Sequence, residues 1–405
     1  MQSYFSKEFF EGNRRRLKTL FIGKAPIVLT ANGLLQRSGD TTFPFRQDSN
    51  FWYLTGINEP DFILVIDKDK EYLIASERSP TMNIFGGHQN LEKLRKTSGI
   101  KDIVDSNDGW KRLSARLLRS KHIATLAATQ KYITTHGFYV NPAKTALLER
   151  VKECNALIKP LDLRRHLSTM RTIKQPEELL AIQAAIDVSA KAFAFVKSNL
   201  KKYEGEHQIE AELSKKLRLG SSGHAFSPIV ASGRNSGIIH YQTNDDLLKN
   251  KKTLLIDAGA EVENYAADIS RTYFLKNPTK RTKAVYEAVK NTQDYGANLL
   301  KQGVNIKNYE KQVEHFLGEK LRELGLIKNI TSEQVRKYCP HSITHFLGLD
   351  THDAGNYEQP LQANTVLTIE PGIYIPKEDV GVRIEDDYHV TSSGVKNLSV
   401  KAPYA

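Results

Sequence analysis

Helical and strand-like patterns of apolar residues alternate through the first part of the chain, which predicts an α/β unit. An opening helix carries Phe5, Phe9 and Phe10 on its inward side, and the apolar string PIVLTA (26–31) follows as a strand. Two more apolar runs, FILVI (62–66) and EYLIA (71–75), are separated by charged residues and read as a hairpin, while HIATLA (122–127) reads as a later strand. Between the first strand and the hairpin lies FPFRQDSNFWYLTGINEP (43–60), dense in aromatic residues, with Gly56 near its end.

The pattern changes near residues 168–174. A helix opens there with Pro176 in its first turn and with Glu177 and Glu178 at the positive end of the helix dipole. Leu180, Ala184, Val188 and Ala192, with Ile182 and Ile186 beside them, hold an apolar face through Val196. Further helices are predicted at 208–217, 282–300 and 308–324, the last closed by Gly325. Strands are predicted at 226–232, 253–259, 269–275, 365–371 and 387–391. The predicted class is α+β, with an N-terminal α/β domain over 1–170 and a second domain over 171–405.

Composition narrows the possibilities. At 405 residues the chain exceeds what one hydrophobic core usually serves, and its 40% hydrophobic content suffices for two. No apolar run approaches the ~18 residues of a membrane span, and the start MQSYFSKEFFEGNRRR has no secretory apolar region, so a cytoplasmic protein without a membrane partner is expected. Cys154 and Cys339 are far apart and lack CxxC spacing, which argues against a disulfide framework or a thiolate metal site; both are read as buried thiols. Cys339 is close to His341, but nothing else suggests a Cys-His pair, and a core residue is the better reading. The net charge of +12 raises nucleic acid as a partner, yet the lysines are dispersed along the chain and no such partner is expected. The densest basic cluster, residues 14–16, is read as a solvated face of the opening helix.

Chemistry gathers between His341 and Glu385. That stretch holds His341, His345 and His352, then Glu370 and Glu385 among strand-like residues, and Arg383 two positions before the second glutamate. Upstream, Asp257 ends one apolar strand and Asp268 precedes another, a spacing that suits a hairpin returning both carboxylates to one edge. Four carboxylates sharing a pocket would repel by roughly 4 kcal/mol per pair at ~4 Å and an effective dielectric of about 20, so they require neutralisation, and two divalent cations would supply it. This oxygen-rich set suits Mn²⁺, Co²⁺ or Mg²⁺ better than a thiolate-seeking ion. His341 and His345 are four apart, but Pro340, the β-branched Ile343 and Thr344, and Gly348 favour an extended segment over a helix.

The aromatic string at 43–60 is similar to a segment of the N-terminal domain of aminopeptidases P. The second domain resembles the pita-bread metallopeptidase fold, and the chain as a whole resembles the aminopeptidase P family. The resemblance implies that Asp257, Asp268, His345, Glu370 and Glu385 hold two divalent metal ions, with Asp268 and Glu385 bridging. Manganese is the first expectation, with cobalt or zinc as alternatives. It implies that His240, His341 and His352 are active-site histidines outside the ligand set, that Arg383 lines the substrate pocket, and that Glu370, in the EPG string, shuttles protons. A water bridging the ions, its pKa lowered, would serve as the nucleophile. The implied activity is release of the N-terminal residue from peptides with proline in second position, by a homo-oligomer, either dimer or tetramer. One departure is visible, since HSITH carries Ser342 where the family commonly reads HGxxH. A prolidase, restricted to Xaa-Pro dipeptides, would use the same site and could set Arg383 on the dipeptide carboxylate. A non-catalytic pita-bread binding module would have lost metal ligands, and none is missing.

Overall fold

The opening helix, Lys7–Leu20, and Phe5 ahead of it turn their aromatic rings inward as the pattern predicts. Trp52 stands edge-on to Phe5 and Phe10 at ring-centroid separations of 5.1 and 5.4 Å. The basic cluster on this helix is the solvated face expected at Arg15, which is exposed, and is half-buried at Arg16, but not at Arg14. Arg14 is fully buried: Nε and Nη2 donate to the two carboxylate oxygens of Glu71 at 3.0 and 2.9 Å, and Nη1 donates to the Leu54 carbonyl at 2.8 Å. Position 14 lies one turn from both Phe10 and Leu17, so helical periodicity carries it inward whatever its charge.

The computed structural model describes residues 3–126 and 131–405, and the chain forms two units, Met1–Met170 and Arg171–Ala405. In the first, the aromatic string contains an unpredicted helix, Ser49–Thr55. Asp48 caps it by accepting from Asn50 N and Phe51 N, and Gly56 ends it at φ 68°, where a Cβ would lie 2.4 Å from the Phe10 ring. The expected hairpin forms between Phe62–Asp67 and Lys70–Ala75, with Lys68 at φ 52° in its turn. Among the described residues the sheet runs Ile103–Val104, Lys70–Ala75, Phe62–Asp67, Ile27–Thr30, His122–Thr125, Lys159–Asp162. Phe62–Asp67 is antiparallel to both neighbours and the other pairs are parallel. Ala127, the last residue of the strand expected at 122–127, lies outside the described residues.

The second unit begins with the long helix Pro176–Asn199, whose N-terminus is closed by Glu178 accepting from Gln175 N at 2.9 Å. This helix is long and apolar enough to cross a membrane, yet Ala181, Ile182, Ala185 and Ile186 are fully buried within the unit. The other predicted helices appear as Glu206–Gly220, Lys280–Leu299 and Ile306–Glu323, with Gly325 at φ 70° just past the last. Ile229–Ser232, Thr253–Ala258 and Ile269–Phe274 form one antiparallel sheet with Asp257 opposite Ser270. The connection between the last two is more than a simple turn. After Gly259 the chain makes two short strands, Ala260–Val262 and Tyr265–Ala266, which belong to another sheet. Only glycine fits at 259, because a Cβ there would lie 1.7 Å from the Ala267 carbonyl oxygen. Val366–Ile369 pairs with Asp386–Thr391, and an unpredicted hairpin, Gly372–Ile375 with Val380–Arg383, fills the interval.

Candidate metal centre

Strand register delivers the carboxylates. Asp257 is the penultimate residue of Thr253–Ala258; across from it Ser270 forms an isolated bridge with Glu385, whose N–H donates to the Ser270 carbonyl at 3.1 Å. Asp268 lies two positions before Ser270, on the same face of the extended chain. Glu370 follows directly on Val366–Ile369, and Arg383 ends the strand opposite Gly372. The 341–345 segment is non-helical, as expected, and runs alongside Val366–Ile369: Thr368 N donates to His345 O at 2.9 Å and Glu370 N to Ile343 O at 2.8 Å. His240 sits in the turn after Gly233–Gly237, and His352 in an irregular loop. All nine residues singled out in the sequence, Asp257, Asp268, His345, Glu370, Glu385, His240, His341, His352 and Arg383, line one cavity of about 330 Å³. Ser342, the departure noted above, lines it too and has no left-handed backbone, so the serine is accommodated without strain.

The distances between these groups are short. His345 Nε2 lies 3.4 Å from Glu370 Oε1, 3.5 Å from Asp268 Oδ2 and 3.9 Å from Glu385 Oε1. Three groupings, Asp257/Asp268/Glu385, His345/Glu370/Glu385 and Asp268/His345/His352, each have candidate ligand atoms within 4.8 Å of one another. Asp257 Oδ1, Asp268 Oδ1 and Glu385 Oε1 are buried without a hydrogen-bond partner among the described residues. Burial raises the carboxyls of Asp268, Glu370 and Glu385 well above their ordinary range, and neighbouring carboxylates raise them further: Asp257 for Asp268, Glu385 for Glu370, and Asp268 for Glu385. Among the described residues the cation against them is Arg383, whose Nη2 donates to Asp257 Oδ2 at 2.6 Å.

His345 shows what the cavity is built to receive. Burial, helped by His352, depresses its pKa to about 3, so the ring is neutral. Its Nδ1 lies 3.0 Å from the Phe346 carbonyl, which can only accept, so that nitrogen carries the proton. Nε2 is then a bare lone pair facing three carboxylate oxygens, an arrangement of acceptor against acceptor that a cation between them would resolve. The residues present therefore fit divalent metal.

His341 is also held neutral, at about 4, by burial and then by Arg383; its Nδ1 donates to Ser342 O and its Nε2 accepts from Tyr374 OH at 2.8 Å. Tyr374, which the sequence reading missed, also accepts from Arg383 Nη1 at 2.9 Å. Ser270 was missed as well: it donates to Glu385 Oε2 and accepts from Arg383 Nε, both at 2.8 Å. Two-residue alternation from Asp268, and the strand after the EPG string, are the signals that could have found them. Cys339 is buried with its thiol pushed up to about 12 by burial, in keeping with a core residue. Cys154 is only half-buried, its Sγ 3.0 Å from Ser114 Oγ, which corrects the expectation that both thiols are buried.

Fold and site together define a metal-dependent hydrolase. Residues 181–392 match the family model of metallopeptidase family M24, and residues 10–125 that of the aminopeptidase P N-terminal domain. The chain belongs to metallopeptidase family M24, in its aminopeptidase P branch. It is 31% identical to the Xaa-Pro aminopeptidase of Haemophilus influenzae, over 98% of this chain and 95% of that one. A solved Bacillus anthracis structure assigned to aminopeptidase P superposes with a TM-score of 0.89 at 31% identity, covering 99% of this chain and 96% of the other. Zinc-substituted aminopeptidase P from Escherichia coli, in complex with product, gives 0.85 at 25% identity, with coverage of 99% and 96%.

Proposed function

We propose that this metallopeptidase is an aminopeptidase that releases the N-terminal residue from peptides with proline in second position. The observation that carries the reading is the cavity, where four carboxylates and a bare imidazole nitrogen face one another with one guanidinium among them. Asp257, Asp268, His345, Glu370 and Glu385 are the residues that would hold two divalent cations. Manganese is the proposed ion; zinc in the Escherichia coli neighbour supports a site tolerant of other divalent ions. When bound, such a pair acidifies water and polarises a carbonyl.

The chain's own groups do the rest. Glu370 Oε1 faces His345 and Oε2 lies 3.5 Å from His341 Nδ1. Set between His345 and His341 at the edge of the cavity, it is placed to take a proton from the attacking water and hand it to the prolyl nitrogen. That nitrogen belongs to a tertiary amide and has no hydrogen of its own, and the ring fixes φ near about −65°, so a pocket shaped for it selects proline. His240 and His352 reach the cavity from its solvent-exposed side, where they are placed to donate to the substrate carbonyl. Arg383 is buried with its donors on Asp257, Ser270 and Tyr374. It supports Asp257 rather than waiting for a dipeptide carboxylate, which favours the aminopeptidase over the prolidase reading.

The same reading takes the protein as a cytoplasmic homo-oligomer, dimer or tetramer. The exposed Ile84, Phe85 and Tyr139 of the N-terminal unit are apolar surface that an assembly would cover. The test of substrate class is a matched set, Xaa-Pro, Xaa-Pro-Xaa and Xaa-Ala-Xaa, assayed with manganese-loaded protein. Cleavage of Xaa-Pro-Xaa is expected; hydrolysis confined to the dipeptide would establish a prolidase, and efficient cleavage of Xaa-Ala-Xaa would remove proline specificity.

A further inference from the structure

We infer that Glu310 is a positioning residue that sets the segment bearing His341 and His345, an inference resting on the metallopeptidase reading above. Glu310 belongs to the helix Ile306–Glu323, apart from every candidate ligand. Its Oε1 accepts from Thr344 N at 2.9 Å and from Ile343 N at 3.2 Å, and its Oε2 lies 3.2 Å from Ile343 N. The 341–345 segment is neither helix nor strand, and among the described residues no backbone carbonyl takes these two amides.

The other side of the segment is fixed by Val366–Ile369. Ile343 O accepts from Glu370 N, His345 O from Thr368 N, and Thr344 Oγ1 donates to the Thr368 carbonyl at 2.5 Å. The segment is thus clamped: the carbonyls of Ile343 and His345 and the His345 amide, which donates to Thr368 Oγ1 at 3.2 Å, face the strand, while the amides of Ile343 and Thr344 face one carboxylate. Without Glu310 two buried amides lose their acceptor, and the backbone between the two histidines is free to turn about the strand-side bonds. Such a turn would move His341 from Tyr374 and swing His345 Nε2 away from the carboxylates it faces. Glu310 also borders a neighbouring cavity of about 600 Å³ shared with Thr344 and Tyr357, so a small replacement would admit water as a substitute acceptor. Leucine blocks that substitution, and glutamine keeps Oε1 as the acceptor of both amides.

The experiment compares parent, Glu310→Leu and Glu310→Gln by calorimetric titration of Mn²⁺ into metal-free protein, by amide hydrogen exchange, and by kcat and KM on Xaa-Pro-Xaa. Glu310→Leu should bind Mn²⁺ about tenfold more weakly, as outer partners of metal ligands do when removed, with Glu310→Gln within about threefold of the parent. The leucine variant should also lose kcat more than it gains KM, and the amides of Ile343 and Thr344 should exchange faster in it alone. If it does not fold, Glu310→Asp, which keeps the charge but withdraws the carboxylate, must show the same loss of affinity. Parent-like affinity and kcat in Glu310→Leu would overturn the inference alone, as would equal losses in the leucine and glutamine variants. A parent that binds no metal would overturn the functional reading and the inference together.

Discussion

Arg14 of the N-terminal unit and Arg383 of the catalytic unit are both buried, yet their surroundings are opposite in kind. Arg14 meets one carboxylate, Glu71, in a two-bond fork and gives a third hydrogen bond to a backbone carbonyl. Arg383 meets Asp257 while Asp268, Glu370 and Glu385 crowd the same cavity, two of them with an oxygen that no group among the described residues satisfies. The contrast is not between units as such. In the catalytic unit Arg271 donates to Asp386 at 2.5 Å, and Asp353 accepts from both Arg171 and Lys174. Matched buried charge holds a fold together; an excess of carboxylate that the chain leaves unmatched marks where cations belong.

The contrast breaks most visibly at Asp268. Asp268→Asn removes one charge from the excess, and both metal content and hydrolysis should fall by more than the roughly 10–100-fold that outer partners of a ligand command. Retention of full metal by elemental analysis would place Asp268 outside the ligand set. His352 lies at the rim of the same cavity and is assigned to substrate, so His352→Ala should keep its metal while kcat drops by about 10²-fold. Equal metal loss in the two variants would show the division between ligands and substrate contacts to be wrong.

A smaller effect separates the two regions by pH. In metal-free protein the folded carboxyls of Asp268, Glu370 and Glu385 are raised above 3.8 and 4.5, so they bind protons more tightly folded than unfolded, and their contribution to stability is lost as pH rises through the folded values. His341, His345 and His352 are depressed below 6.5 and act in the opposite sense, destabilising the fold as pH falls below that value. Above the ordinary carboxylate range the cavity gives up its protons as pH rises, so the rise in Tm on adding Mn²⁺ should grow with pH. A shift that shrinks with pH would mean that the carboxylates are not the groups the metal neutralises. The smallest expected effect belongs to the matched pair. Arg14→Met leaves Glu71 partly in contact with water and should cost about 1–3 kcal/mol in denaturant unfolding, with Mn²⁺ affinity unchanged; a change in metal affinity would show that the two regions are not independent.

Element type was largely legible because apolar periodicity carries it, as in Pro176–Asn199 and the strands around Asp257 and Asp268. Arg14 was misread because charge was weighed above position, although Phe10 and Leu17 flank it on the same helical face. Ser270 and Tyr374 left only local signals in the sequence, the alternation from Asp268 and the strand after the EPG string, and nothing there showed which cavity groups they bind. Their hydroxyls reach the cavity-lining Glu385, His341 and Arg383 through pairings, Gly372 with Arg383 and Ser270 with Glu385, that depend on register between distant strands. Glu310 was hidden for a related reason, since it meets the 341–345 segment through hydrogen bonds to residues more than thirty positions away.

The central claim, that the unmatched carboxylates hold a cation pair on which hydrolysis depends, is tested most directly by measuring metal content and Xaa-Pro-Xaa hydrolysis on one preparation as it is stripped with chelator and reloaded with Mn²⁺. Activity should vanish with the metal and return as two ions bind per chain. Full activity in protein shown by elemental analysis to be metal-free would contradict it.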